Sequence, residues 1–240
     1  MISSSAKANA PAISPDPSWN EEMPWPEVAD DISGSTRETS AEANVSKSVA
    51  TGAARLMSED KFFASAYFAT LGILADRNEC SDFFGGSGTA AHIFTELMRN
   101  VQKDFLPSTI AMNMAGETTL VTNFRTKSRY RLFERVRINS KGAFYRDRAP
   151  NSLLPLGRLG SFQANTNEGR VLMLLHELGH AIKNDDGNWL LPDDGANDDL
   201  SHRNSEKIED VCGKQIKARR RSNLTQDAQL ASTRDSKNDQ

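Results

Sequence analysis

The stretch NTNEGRVLMLLHELGHAIK, residues 165–183, decides how this chain is read. Asn165, followed three residues later by Glu168, has the form of a capping box, in which paired side chains satisfy backbone N–H groups at a helix start. The run VLMLL is apolar on every side of a helix, so this helix is expected to be buried on most faces. Into it the sequence sets His176, Glu177 and His180. Burying two imidazoles and a carboxylate is costly unless something satisfies them. Residues four apart project from one helical face, so both rings can reach one cation. H-E-x-x-H is the spacing of zinc-binding helices, because zinc takes imidazole nitrogens at roughly 2.0–2.1 Å and favours four ligands. Glu177 is expected to stand close enough to take a proton from water without ligating, which makes it the candidate general base for attack on a peptide carbonyl.

Outward from this helix, the flanking segments assign the class. Ser58-Glu59-Asp60 precedes FFASAYFATLGILA (62–75), which reads as a helix start and a largely buried helix. CSDFFGGSG (80–88) reads as a glycine-rich loop. TAAHIFTELMRNVQKDF (89–105) reads as a helix, with Ile93, Leu97, Val101 and Phe105 at helical spacing. TIAMNMA (109–115), TTLVTNF (118–124), YRLFERVRIN (130–139) and GAFY (142–145) read as short antiparallel strands separated by glycine and polar turns. A loop with Pro150 and Pro155 follows, and a last helix is expected over about 203–219. Helices, then sheet, then helices make the class α+β.

The ends look different. Residues 1–54 are rich in Ser, Ala, Pro and Asn and are expected to form a disordered leader or linker; 222–240 are expected to form a polar tail. The folded unit is then 55–221. The hydrophobic content of 38 % suits a chain that keeps part of its length out of any core. A net charge of -3 provides no global field toward nucleic acid or a membrane surface. KARRRS (217–222) reads as a solvated basic helix end. No apolar run has the length of a signal peptide or a membrane span, so the chain as given is expected in the cytoplasm, or outside the cell if a leader precedes it. Cys80 and Cys212 are either one bridge or two buried thiols.

The HELGH stretch resembles the zincin superfamily of metallopeptidases. A longer span, from CSDFFGG through VLMLLHELGHAIK and DGNWLLPDDG to SEKIEDVCG, is similar to a group of uncharacterised bacterial HELGH-containing proteins, over about 55–217. The resemblance implies a zincin-like fold, with a small sheet above a zinc ion and a connection to a ligand helix. It names no substrate. Zincins differ in their third ligand. A metzincin has a glycine where this chain has Lys183, so Asp186, at the tenth position after His176, is a ligand candidate with the wrong hinge. The gluzincin pattern, a Glu followed four residues on by an Asp, is matched by Glu206 as third ligand and Asp210 behind it. Helical spacing puts those two carboxylates on one face. Asp194, in the PDDG turn, is a further candidate; Glu209 and His202 are weaker ones.

The resulting expectation is a zinc-dependent hydrolase acting on a peptide or protein substrate. A zincin fold that holds metal without turnover, and a toxin-like effector, are the alternatives. YRLFERVRIN could supply an edge strand for extended substrate, and Tyr130 or Tyr145 could stabilise an oxyanion.

Overall fold

Asp60 shows how the first elements form. Its side chain accepts the N–H groups of Phe62 and Phe63 at 3.0 and 3.1 Å, so helix α1 (Thr51–Glu59) ends and α2 (Lys61–Ala75) begins. The computed structural model describes residues 51–235 apart from 107–109, 125, 149–154, 157–158 and 196, and side chains only as far as Arg219. The described residues all belong to one compact unit, Thr39–Gln240. Most of the expected leader, the end of the expected tail and part of the Pro150 loop lie outside the described residues. Among the described residues the fold is α+β: six helices, one 3-10 turn and a three-stranded mixed sheet.

Helix α2 buries Phe63, Ala66, Tyr67, Ile73 and Leu74 and leaves Phe62 and Phe68 exposed. The expected glycine-rich loop at 80–88 is in part helical. Asn78 and Ser81 form a capping box that starts α3 (Glu79–Phe83). Gly85 and Gly86 then take φ of 92° and 94°, a backbone that side chains resist, and α4 (Ser87–Leu97) follows.

The helix expected over 89–105 stops at Leu97. After a 3-10 turn, Val101–Asp104 forms strand β1, paired in parallel with Val136–Asn139 of β3 (Arg129–Asn139). Buried Val101 satisfies a helical spacing and a strand face equally well, and the ladder decides between them. Phe105 is exposed. The two strands expected at 109–115 and 118–124 are one strand, β2 (Met112–Thr122), antiparallel to β3. Gly116, with φ of 86°, absorbs a bulge between Ala115 and Thr118 instead of ending the strand. The sheet order β1-β3-β2 makes β3 the central strand, so YRLFERVRIN is not an edge; β2 is. GAFY is a turn, not a strand. Buried Asn139 accepts from the Leu106 and Lys141 N–H groups and donates to the Ile110 carbonyl, which folds the chain back beside Gly142.

Helix α5 (Asn167–Ala181) is capped by Thr166, whose hydroxyl accepts the Gly169 N–H at 3.0 Å. The expected capping role of Asn165 is not seen, because Asn165 takes φ of 59° and turns the chain one residue later. Nearly every α5 residue from Gly169 onward is buried, as its apolar run requires. Buried Arg170 donates from Nε to the Phe144 carbonyl and so ties the helix to the 142–145 turn. Beyond α5 the chain bridges β3 at Ile182–Tyr130 and returns, so that the Leu191 N–H donates to the Gly179 carbonyl at 3.1 Å. Leu191 packs so closely there that a Cβ on Gly179 would lie 2.6 Å from its Cδ1.

The last helix, α6 (Asp198–Asp235), is longer than expected: it starts five residues earlier and runs through KARRRS, which is therefore interior to the helix. Its inward stripe is Asn204, Ser205, Ile208, Cys212 and Ile216. Cys212 is bonded to Cys80, which fastens α6 to α3 and resolves the two cysteines as one bridge. No helix among the described residues is long and apolar enough to cross a membrane.

Candidate metal centre

Helix α5 presents His176 and His180 one turn apart, and their Nε2 atoms face each other at 3.0 Å. The third member comes from the loop between α5 and α6. Oδ2 of Asp194 lies 3.0 Å from His176 Nε2 and 3.5 Å from His180 Nε2. Both imidazoles are buried and Asp194 is largely so. The ligand-capable atoms of all three lie within 4.8 Å of one another. Two ring nitrogens and a carboxylate oxygen are aimed at one point. A divalent cation is a common partner for that donor set, and one carboxylate with two imidazoles is a set zinc accepts.

The surroundings orient the first histidine. Ser205 Oγ, on the inward stripe of α6, lies 3.0 Å from His176 Nδ1. When Nδ1–H donates to that hydroxyl, the lone pair of Nε2 is left for the convergence point. Asn204, the neighbouring inward residue, donates from Nδ2 to the Pro192 carbonyl at 3.0 Å and lies 3.5 Å from Asp194 Oδ2. Burial works against an ionised Asp194, but the two imidazoles outweigh it and hold the carboxyl well below the usual range. Burial disfavours a charged His180, yet Asp194 and Glu177 raise its pKa. Glu177 is pushed up by burial, against the pull of the two histidines.

Glu177 and Asp194 are shared by two adjoining cavities. One, of about 410 Å³, extends past His176 between Met112, Ala143, Leu159 and Met173. The other, of about 250 Å³, extends past His180 between Met114, Arg131 and Phe133. The edge strand β2 contributes Met112 to both. The His176–His180–Asp194 group thus lies in a cleft beside β2, an edge strand among the described residues. A larger cavity of about 600 Å³ opens at the start of α4 beside Arg77 and His92, away from this group.

The other candidates sit elsewhere. Glu206 is exposed and pairs with His202 at 3.2 Å, one helical turn away. Asp210 is exposed on the same outer side of α6. The spacing of these two acids is helical, but the face they share is the one turned from α5: the inward stripe runs through 204, 205, 208 and 212. Glu209 accepts from the Ser161 N–H at 2.6 Å and faces Lys217. Asp186 is exposed in the turn between Asn184 and Asn188. His202 lines the larger side of the cleft without joining the ligand group. Tyr130 is buried against Ile182. Burial and the Asp60 carboxylate raise the Tyr145 hydroxyl above its ordinary range, and neither tyrosine lines the cleft.

Asn204, Ser205 and Arg131 were not singled out from sequence. For the two α6 residues a signal exists: they share a helical stripe with Ile208, Cys212 and Ile216. Arg131 carries none, since it is one of several arginines on β3. No family model, no curated protein and no solved structure matches this chain.

Proposed function

We propose that the chain is a metal-dependent hydrolase. More particularly, we read it as a zinc peptidase in which His176, His180 and Asp194 hold the metal and Glu177 is the general base. The observation that carries this reading is the convergence of two Nε2 atoms and the Asp194 carboxylate beside a carboxyl group that opens on the same cleft.

Zinc held there supplies Lewis acidity, which polarises a carbonyl and acidifies water. The side chains do the rest. Glu177 follows a ligand in sequence but is not one itself, so its carboxylate is free to accept a proton and pass it to the leaving amine. Ser205 fixes the ring of His176, and the inner helical stripe around it keeps the back of the site dry. The open side of β2 offers backbone N–H and C=O groups to an extended peptide lying in the cleft. A purely structural metal site would have no use for an unligated carboxylate facing a cavity.

The test combines metal analysis with digestion of an unstructured protein such as casein. The zinc-loaded chain is expected to hold about one zinc and to cleave; the Glu177→Gln chain is expected to hold the same zinc and not cleave. Absence of zinc from the native chain, or cleavage by the variant at the parent rate, rejects the reading.

A further inference from the structure

Asp194 is held differently from the two histidines. They ride on α5, whereas Asp194 sits in the segment between Leu191, anchored on Gly179, and the first turn of α6. A ligand on such a segment is only as well placed as the contacts that fix it. Besides the two histidines, side chains from α6 and β3 reach the segment. Asn204 holds the Pro192 carbonyl, and Arg131 of β3 holds Asp193.

Arg131 makes several contacts at once. Its Nε donates to the main-chain carbonyl of His180 at 2.9 Å. One terminal nitrogen donates to Asp193 Oδ2 at 3.2 Å, and the other bonds the second carboxylate oxygen. The guanidinium lies 4.2 Å from the centre of the Trp189 ring and 5.1 Å from that of Phe133, and the side chain is only 14 % exposed. One planar cation thus links the last turn of α5, at a ligand residue, to the residue beside Asp194. The fork geometry of a guanidinium permits both grips together; an ammonium would have to choose.

We propose that Arg131 is a positioning residue for the metal: it sets the place of Asp194 relative to His176 and His180, acting through Asp193 and the His180 carbonyl. This rests on the metal reading above. It adds a cause for the loop's conformation that the ligand set does not supply.

The experiment measures zinc affinity of the full chain by competition with a chromophoric chelator, for the parent, Arg131→Gln, Asp193→Asn, Asp194→Ala and the Arg131→Gln/Asp194→Ala double variant. Loss of a partner that orients a ligand costs about 10–100-fold in affinity, so Arg131→Gln is expected to fall in that range. Asp193→Asn weakens one grip at an exposed carboxylate and leaves the His180 contact intact, so it should weaken zinc by a smaller factor with the metal-free melting temperature unchanged. In the Asp194→Ala background, Arg131→Gln is expected to cost less than about threefold, because residues acting through one another are not additive. The cobalt-loaded absorption spectrum of Arg131→Gln is expected to move toward that of Asp194→Ala. Unchanged zinc affinity in Arg131→Gln, or an equal loss with and without Asp194, overturns the proposal. A parent chain that binds no zinc removes the metal centre itself, and this proposal with it.

Discussion

The hydroxyl of Ser205 lies 3.0 Å from Nδ1 of His176, joining α6 to α5 at the buried back of the convergence point. The contact engages the ring nitrogen that faces away from Asp194 and so fixes the orientation in which the ring turns Nε2 to the cleft. Removing it leaves a buried nitrogen without its partner. Ser205→Ala is therefore expected to weaken zinc about tenfold, and Ser205→Thr to recover part of the loss. Isothermal titration of the metal-free chain with zinc measures both; equal affinity for all three chains contradicts the role.

The third ligand can be separated from its rivals by one comparison. Asp194→Ala is expected to lower zinc affinity by at least about tenfold. Glu206→Ala and Asp210→Ala are expected to leave it unchanged, because both side chains lie on the outer face of α6. Chelator competition on the three variants ranks them. A loss confined to Glu206→Ala would reassign the ligand and require α6 to rotate.

Glu177→Gln separates binding from chemistry. The amide keeps the shape of the side chain but cannot hold the proton, and general acid–base groups contribute about 10²–10⁴-fold. Zinc content is expected to equal that of the parent, with kcat reduced by that order and KM little changed. Peptide turnover by liquid chromatography reads the difference.

Acid stability offers a test away from the metal. Burial disfavours an ionised Asp60, but Lys103 and the α2 N–H groups outweigh it and hold the carboxyl below its ordinary 3.8. A depressed carboxyl contributes stability that is fully present above the ordinary value and is lost as pH falls through and below it. Asp60→Asn keeps an oxygen that can cap α2 but removes the charge that faces Lys103, so it is expected to cost up to about 1 kcal/mol at pH 7 and progressively less below pH 3.8. Thermal melts of both chains between pH 7 and pH 2 follow the gap; a gap that widens on acidification contradicts the assignment.

The Cys80–Cys212 bridge closes a loop of 132 positions. In the chain-entropy view such a crosslink is worth up to about 5 kcal/mol, through the unfolded state. The Cys80→Ala/Cys212→Ala chain is expected to melt well below the parent under non-reducing conditions, with the two melting points converging once the parent is reduced under denaturing conditions and refolded in thiol. Calorimetry checks this.

Some of this architecture was written in local pattern. The buried helix with His176, Glu177 and His180 follows from an apolar run with two imidazoles one turn apart, since helical periodicity is a property of neighbouring residues. The start of α2 at Asp60 and the α+β class follow from the same kind of local signal. The 89–105 segment was misread because apolar residues four apart serve a helix and a helix-then-strand equally well, and only the ladder to Val136–Asn139 distinguishes them. Gly116 looked like a strand end because the sequence does not show whether a glycine breaks a ladder or bulges it.

What the chain alone determined is the pair of histidines and the carboxyl between them, because one helical turn fixes their common face. Which acid stands beside them was left to the tertiary structure. Asp194, Glu206 and Asp186 are all acids at plausible distances along the chain, and choosing among them needs the packing angle of α6 and the path of the loop before it. Leu191 on Gly179, Asn204 on Pro192 and Arg131 on Asp193 bring Asp194 to the histidines. Those contacts join residues far apart in sequence, and no local spacing encodes them.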